Sequence, residues 1–320
     1  QKTAYEISLG LVGSEMCIRD RYGVTHPTKP GLKIPQMFEA AINKELKGLW
    51  IIGEDIVQTD PNSAHVIEAM NSLELLVVQE IFMSETAKLA TVVLPGTTFL
   101  EKDGTFTNTE RRIQRVNRAV PPLPGTKPDG LIVTDMMQKL GFDQPSYDAD
   151  QVLGEIADVV PFFKGVTRER LGKLGLQWPV KEDGTDTQIL HTESFKLGKG
   201  RLKNFDWKES SEIEANQKDY PLILTTSRVL QHYNAATMTR RTKNINIVDE
   251  DVLLIHPKDA AYRDLNTGDI GRLYSGRGEV ALKVEVTDKV KEGIVFTTVS
   301  YTHLRAHETE ADLVCRLLLE

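Results

Sequence analysis

Cysteine is scarce in this sequence of 320 residues, and both copies, Cys17 and Cys315, lie near the ends. The long stretch between them has no thiol, which excludes a disulfide, a thiolate metal site and a cysteine nucleophile there. Long apolar runs are missing too. None approaches the roughly 20 residues needed to cross a bilayer, so we predict no membrane segment. The formal net charge is −7, and an acidic chain is a poor non-specific binder of nucleic acid.

The two ends of the chain carry an unusual signal. Residues 16–21 can be encoded by ATG TGT ATA AGA GAC AGN, and residues 299–304 by GTC TCT TAT ACA CAT CTN. These DNA strings are nearly reverse complements, and they match the end sequence used in transposase-based sequencing libraries. We therefore interpret residues 1–21 and 299–320 as artefact and set them aside, as expression scars would be. The front segment is balanced in charge and the tail has two more acidic than basic residues, so the middle keeps −5 of the −7.

The middle of the chain is long enough for about two domains. In residues 22–150, short apolar strands at 49–52, 75–78 and 92–94 alternate with helix-like stretches that begin near residues 62 and 85. This alternation predicts a partial doubly wound (Rossmann-like) α/β domain with a parallel sheet. Ligands of such sheets bind beyond the carboxyl ends of the strands. Residues 53–55 and 79–80 follow two of those strands, so we expect them to lie near one another.

The second half of the chain has a different pattern. Residues 151–215 are interpreted as a helical and linker segment, with helix-like patterns at 151–159 and 167–174. Residues 216–298 contain short strands separated by turns, including a hairpin signal at residues 275–278. Strands at this spacing predict a small β-barrel.

Residues 94–114 read LPGTTFLEKDGTFTNTERRIQ, a stretch dense in hydroxyls and amides beside Arg111 and Arg112. Such a set suits a polyanionic ligand with many hydrogen-bonding edges. A solvated turn is the alternative, and composition does not separate the two. As a motif, the stretch resembles a signature of the molybdopterin oxidoreductases, which carry bis-molybdopterin guanine dinucleotide.

Two turns of the first region resemble the guanosine-binding turns of that family. They are residues 52–62 (IGEDIVQTDPN) and residues 79–87 (QEIFMSETA). Guanine offers N1–H and N2–H₂ donors, for which carboxylates at a strand end are natural acceptors. An acidic loop that caps the following helix is the alternative. Thr91 departs from the family, where an aspartate is usual. The resemblance implies these cofactor-binding residues: Gly53, Glu54, Asp55, Thr59, Gln79, Glu80 and Thr86.

A polar loop at residues 225–241 (TTSRVLQHYNAATMTRR) resembles the family's second cofactor loop. Arginine can bind pyrophosphate bidentately, and histidine can bond a pterin heteroatom. On composition alone these would be exposed surface residues. The strands that follow resemble the family's double-psi barrel. The residues implied here are Arg228, Gln231, His232, Thr237, Thr239 and Arg240.

Within that family the likeness is greatest to the formate dehydrogenase catalytic subunits, and it spans nearly all of residues 22–298. It implies a molybdenum or tungsten bis-molybdopterin guanine dinucleotide cofactor, formate as the substrate of the whole enzyme, and a cytoplasmic complex. Electrons would pass through 4Fe-4S clusters, and through iron–sulfur or flavin subunits, towards NAD. The cluster and metal ligands would lie in segments absent here, so this chain would bind cofactor without itself oxidising formate. Two alternatives stay open, a molybdenum-free structural subunit of a respiratory complex and a related enzyme such as a nitrate reductase.

Overall fold

The structure is a computed structural model that describes residues 22–23, 29–195, 198–200, 202–208, 218–275 and 278–298, and the backbone of 314–319. The chain divides into two compact units. One contains Gln1–Leu32 and Leu94–Lys203, and the other contains Lys33–Val93 and Asn204–Glu320. The predicted artefact at residues 1–21 lies outside the described residues.

Residues 33–93 form the α/β part of the second unit. Strands β1 (Gly48–Ile52) and β2 (Leu75–Glu80) pair in parallel from Gly48↔Leu75 to Ile52↔Gln79, and β3 (Val92–Pro95) follows beside β2. The predicted alternation of strands and helices is confirmed here; a doubly wound arrangement stays a prediction. The helices are α1 (Ile34–Ile42), α2 (Ile56–Thr59), α3 (Ser63–Ser72) and α4 (Glu85–Lys88).

The core of this part forms where the strands meet α1 and α3. Apolar residues of the strands alternate in burial, as expected for a sheet covered on one side at least. Asn62 accepts a hydrogen bond from the Ser63–Ser72 helix at His65 N (3.2 Å), as a residue that caps a helix should. The largest buried apolar side chains include Val66, Met70, Leu76 and Val78.

The predicted β-barrel is confirmed as a closed ring of six strands, in the order β10-β8-β11-β7-β12-β9. Its core contains Leu222, Leu224, Leu253, Ile255 and Val295. Helix α8 (Pro257–Tyr262) follows β8. The strands are β7 (Leu222–Ser227), β8 (Val252–Ile255), β9 (Ile270–Ser275), β10 (Gly278–Val286), β11 (Ile294–Thr298) and β12 (Val314–Leu319).

Strand β12 lies in the tail that the sequence analysis excluded from the fold. Its backbone pairs antiparallel with β7 and with β9, so the barrel extends beyond residue 298. This extended segment forms hydrogen bonds with backbone N–H and C=O groups of β7 and β9, which would otherwise be unpaired sheet edges. The artefactual origin of residues 299–320 stays a prediction. Residues 276 and 277 of the predicted hairpin lie outside the described residues, but the flanking strands pair antiparallel from Gly278↔Ser275.

The first unit combines a small sheet with helices. Strands β4 (Gly104–Thr107) and β5 (Arg112–Val116) form a hairpin, and β6 (Leu176–Gln177) pairs with β5. Its core contains Ile113, Leu153, Val166, Leu171 and Val180. The helices predicted at residues 151–159 and 167–174 are confirmed as α6 (Ala149–Val159) and the shorter α7 (Arg168–Leu171), and helix α5 (Asp129–Lys139) precedes them.

Among the helices that the structure describes, none is both long and apolar enough to cross a membrane.

Candidate functional site

The two predicted ligand-facing turns of the sheet lie side by side. Gly53 follows β1 with a positive φ of 66°, a backbone conformation that favours glycine, and its N–H donates to the Gln79 carbonyl (2.8 Å). The register Ile52↔Gln79 places the next residues, Gly53 and Glu80, at neighbouring positions. The expectation that the two strand ends meet is therefore confirmed.

Asp55 is turned into the protein and not towards this edge. Its Oδ1 accepts hydrogen bonds from Thr86 N (2.9 Å) and Thr86 Oγ1 (2.7 Å), and its Oδ2 accepts from Glu85 N (3.3 Å). Thr86 Oγ1 in turn accepts from Val57 N (3.1 Å). With 6 % of its surface exposed, Asp55 caps α4. These bonds give Asp55 and Thr86 a structural role within the protein, and their direct contact with a nucleotide stays a prediction.

Two other carboxylates occupy the edge. Glu54 is exposed, and Glu80 is half-buried with its Oε1 accepting from the N–H of Ile81 (2.7 Å). Burial raises the pKa of Glu80, and the charge of Asp55 adds to that effect. The Ile81 hydrogen bond and the charge of Arg241 oppose it. These are the carboxylate acceptors that the structure leaves near solvent at the strand ends.

Gln79 and Thr59 are less accessible than the sequence analysis expected. Gln79 is fully buried within β2. Thr59 Oγ1 is buried, and no residue that the structure describes hydrogen-bonds to it. A buried hydroxyl without a partner is unfavourable, so Thr59 fits a site that receives a polar group.

Arg228 stands at the carboxyl end of β7. It is exposed, and its side chain forms no ion pair or hydrogen bond within the described part of the chain. A guanidinium without a protein partner is available to an anion, and its planar fork suits a phosphate. Of the residues predicted for this loop, Arg228 fits the role best.

His232 is buried (4 % exposed) inside the loop's own hydrogen-bond network. Its Nε2 contacts the Val248 carbonyl (2.7 Å), which can only accept, so Nε2 carries a proton. Its Nδ1 contacts Thr239 Oγ1 (3.1 Å), which also accepts from Tyr233 N (3.2 Å). Both ring nitrogens of His232 thus have partners within the loop, and a direct contact of His232 or Thr239 with the cofactor stays a prediction.

The remaining predicted residues hold the loop's backbone. Arg240 Nη2 donates to the Ala235 carbonyl (3.0 Å), and the Thr237 carbonyl accepts from Arg241 Nε (3.2 Å). The Gln231 carbonyl accepts from the side chain of Asn244 (2.8 Å). These contacts involve main-chain carbonyls, which a residue pattern cannot anticipate.

Arg241, which the sequence analysis did not single out, links this loop to the turn after β2. Its guanidinium lies 4.3 Å from the ring centroid of Phe82, a cation–π distance. The loop of residues 225–241 and the turn at Glu80–Phe82 are thereby adjacent within one unit. The sequence shows two adjacent arginines, Arg240 and Arg241, in this loop. It does not show which of them contacts the turn, because that depends on the fold.

Both arginines of residues 94–114 are engaged internally. Arg111, at a positive φ of 69°, donates to the carbonyls of Thr187 (3.0 Å) and Gln188 (2.9 Å) and also to that of Trp178. Arg112 pairs with Glu110 (2.9 Å). Both guanidinium groups thus have partners within the protein, and a polyanion site in residues 94–114 stays a prediction beside the solvated-turn alternative.

Thr91, the position that departs from the family pattern, forms hydrogen bonds with the backbone of β2 near the start of that strand. Its Oγ1 accepts from Leu76 N (3.0 Å), and its N–H donates to the Leu76 carbonyl (2.8 Å). Across the described residues there is no group of three or more histidine, cysteine, aspartate or glutamate side chains that could hold a metal ion.

Two family models match the chain. One, described as "Molybdopterin oxidoreductase", matches residues 14–139, and the other, "Molydopterin dinucleotide binding domain", matches residues 222–317.

Several curated proteins are similar over most of the chain. The F420-dependent formate dehydrogenase subunit alpha of Methanocaldococcus jannaschii is 40% identical over 294 residues, covering 90% of this chain and 44% of that protein. The F420-dependent formate dehydrogenase 2 subunit alpha of Methanococcus maripaludis is 42% identical over 272 residues, covering 83% and 40%. Probable oxidoreductase YjgC of Bacillus subtilis is 39% identical over 282 residues, covering 86% and 28%. The chain thus spans less than half the length of these relatives.

Among solved structures, acetylene hydratase from Pelobacter acetylenicus has a similar fold, with a TM-score of 0.64 and 20% identity. The match covers 91% of this chain and 43% of that one.

Proposed function

Because this chain belongs to the molybdopterin oxidoreductase family, we propose that it is part of the catalytic subunit of a molybdenum or tungsten formate dehydrogenase. Its role there is to bind the dinucleotide ends of a bis-molybdopterin guanine dinucleotide cofactor. The observation that supports this role most directly is the exposed Arg228 guanidinium, unpaired among the described residues, in the unit that also carries Glu54 and Glu80. We propose further that the sheet belongs to a doubly wound domain and that the barrel is of the double-psi type.

At the guanosine end, we assign the base-acceptor role to Glu54 and Glu80. Guanine presents N1–H and N2–H₂ as adjacent donors, and a carboxylate can accept from both. Asp55 and Thr86 act as positioning residues, because they fix the α4 turn that follows Glu80. The positive φ of Gly53 lets the chain turn without a side chain at this edge. Thr59 offers a hydroxyl to the sugar or base.

At the phosphate end, Arg228 supplies the charge that pyrophosphate requires. His232 and Thr239 stabilise the loop through their hydrogen bonds to Val248 and Tyr233. Hydrogen bonds to main-chain carbonyls stabilise the loop. The Arg240 side chain donates one of them, and the carbonyls of Gln231 and Thr237 accept two others. When bound, the cofactor supplies the metal centre at which formate is oxidised to carbon dioxide. The residues of this chain bind and orient it.

The partners of the whole enzyme are proposed from the family resemblance of the sequence. We propose that 4Fe-4S ligands and the metal ligand lie in other segments of the enzyme, and that iron–sulfur or flavin subunits accept the electrons in the cytoplasm. NAD is the acceptor we predict from the sequence. The names of two relatives specify F420 instead, which makes F420 the second candidate. A molybdenum-free structural subunit is less favoured, since it has no use for an unpaired Arg228.

Arg228→Ala in the whole enzyme tests this proposal. We expect the purified variant to retain less guanine nucleotide than the wild type, measured as GMP released by acid hydrolysis. Arg118→Ala is the matched control, because Arg118 is also exposed but lies in the other unit. Full nucleotide occupancy in Arg228→Ala would overturn the assigned role.

A further inference from the structure

The first unit contains a cavity of about 250 Å³ that the proposed function does not use. It lies between the β4–β5 hairpin and helices α5 and α6. All of its lining residues belong to this one unit. Those that matter for its chemistry are Phe99, Lys102, Asp103, Phe106, Asp129 and Tyr147.

Three aromatic rings line the cavity. Phe99 and Phe106 meet edge to face, with centroids 6.1 Å apart and planes at 67°. Both are about half exposed (53% and 54%), which is unusual for phenylalanine and marks rings without full protein cover. Tyr147 packs directly on α5 at Gly130, where an added Cβ would lie 2.1 Å from the Tyr147 ring. Glycine at this position therefore lets the third ring reach the cavity wall.

Charge around the rings is predominantly negative. Lys102 and Asp129 form an ion pair at the lining, and Asp103 lines the cavity as well. Burial raises the pKa of Tyr147, and the charges of Asp129, Asp148 and Asp150 raise it further. Tyr147 thus stays a neutral ring in an acidic setting.

The nearby cations do not cancel this charge. Arg168 is held by Asp150 (2.6 Å), and Lys102 by Asp129. Arg168 also interacts with the charges of Asp103 and Asp148. The four carboxylates, which are Asp103, Asp129, Asp148 and Asp150, still outnumber Lys102 and Arg168. An anion would be repelled here.

We propose that this cavity binds a small organic ammonium ion with apolar substituents, of the size of choline. Aromatic faces attract such a cation through their quadrupoles, and quaternary ammonium groups are recognised in this way elsewhere. Nearby carboxylates add attraction of the same sign, and the apolar walls of Val152, Leu153 and Ile156 favour methyl groups over a hydrated metal ion. The proposal is independent of the cofactor role, which concerns the other unit.

The test is a titration of the complete chain with choline, followed by saturation-transfer NMR, beside 3,3-dimethylbutan-1-ol. That alcohol has the shape of choline, with a carbon atom in place of the charged nitrogen. We expect choline to bind at least about tenfold more tightly than the alcohol, and its affinity to fall as salt is added. Equal affinity for both, or no saturable choline binding up to a Kd of about 10 mM, would overturn the proposal.

Variants locate the binding. Phe106→Ala and Asp129→Asn should each weaken choline binding by about two- to fivefold. Phe142→Ala and Asp143→Asn are matched controls, because both residues are exposed and neither lines the cavity. If Phe106→Ala does not fold, Asp129→Asn decides, since it preserves side-chain shape. Unchanged affinity in a folded Asp129→Asn protein would contradict the assigned site.

Discussion

Two buried residues of this protein, Asp55 and His232, form side-chain hydrogen bonds within the fold before any ligand arrives. Asp55 and His232 have the chemistry of cofactor ligands, yet each is engaged by neighbouring donors and acceptors. Glu54, which carries a carboxylate as Asp55 does, and Arg228, which lies in the same loop as His232, are exposed. Whether such a side chain is buried or exposed depends on the local path of the backbone. The residue types alone do not show this.

Asp55→Asn should destabilise the chain by about 1–3 kcal/mol, because an amide cannot accept at both positions and leaves a buried N–H or hydroxyl of α4 unpaired. Urea unfolding measures this change. Glu54→Gln, one residue away and exposed, is the control and should lie within about 0.5 kcal/mol of wild type. Equal stability of the two variants would contradict the positioning role of Asp55.

Glu80 should make stability depend on pH. Because burial raises the pKa of Glu80 in the folded state above the usual value for glutamate, the stability that Glu80 contributes is fully present below the unfolded pKa. It is lost as pH rises through the folded pKa. Glu80→Gln should therefore gain stability relative to wild type as pH rises from the region of 4.5 towards neutrality.

Glu101→Gln supplies a control of opposite sign. Hydrogen bonds from the backbone of Thr98 and Leu123, and from the Thr98 hydroxyl, lower the pKa of Glu101. Its contribution is present above the unfolded pKa and is lost as pH falls through the folded one. This variant should lose stability relative to wild type as pH rises. If the stability of both variants relative to wild type changed in the same direction as pH rises, at least one of the two assignments would be wrong.

At the scale of elements, the sequence was sufficient to predict those helices and strands whose stabilising contacts are local. The helix Ala149–Val159 and the strands of the sheet follow from apolar spacing, and the predicted hairpin flanks pair as expected. Strand Leu176–Gln177 was not predicted, because two residues carry no periodicity and pair only with the distant β5. The strand Val314–Leu319 was excluded on grounds of origin, although its backbone completes the barrel.

Arg111 ties the hairpin to residues 178–188 through three carbonyl contacts. Lysine retains the charge but has no planar fork, so Arg111→Lys should loosen this segment. Hydrogen exchange should show faster exchange in residues 178–188, with unfolding easier by about 1–2 kcal/mol. Arg115→Lys is the control, since Arg115 bonds only a nearby asparagine side chain in the described structure. Unaltered exchange in Arg111→Lys would show that the contacts do not hold the segment.

At the scale of the whole molecule, the proposed site is assembled from segments far apart in sequence. Residues 48–93 and 222–298 belong to one unit, and Arg241 stacks on Phe82 between them. The topology of the sheet let us predict that the ends of β1 and β2 meet. Nothing local indicated that the loop of residues 225–241 would lie beside them, because that contact depends on how the barrel and the sheet pack together.

The central claim is that this chain helps to bind a bis-molybdopterin guanine dinucleotide cofactor in a formate dehydrogenase. The most direct measurement is the ratio of guanine nucleotide to metal in the purified whole enzyme, from acid-released GMP and elemental analysis of molybdenum and tungsten. The account predicts two guanine nucleotides for each metal atom. An active enzyme that releases no GMP, or that contains neither metal, would contradict it.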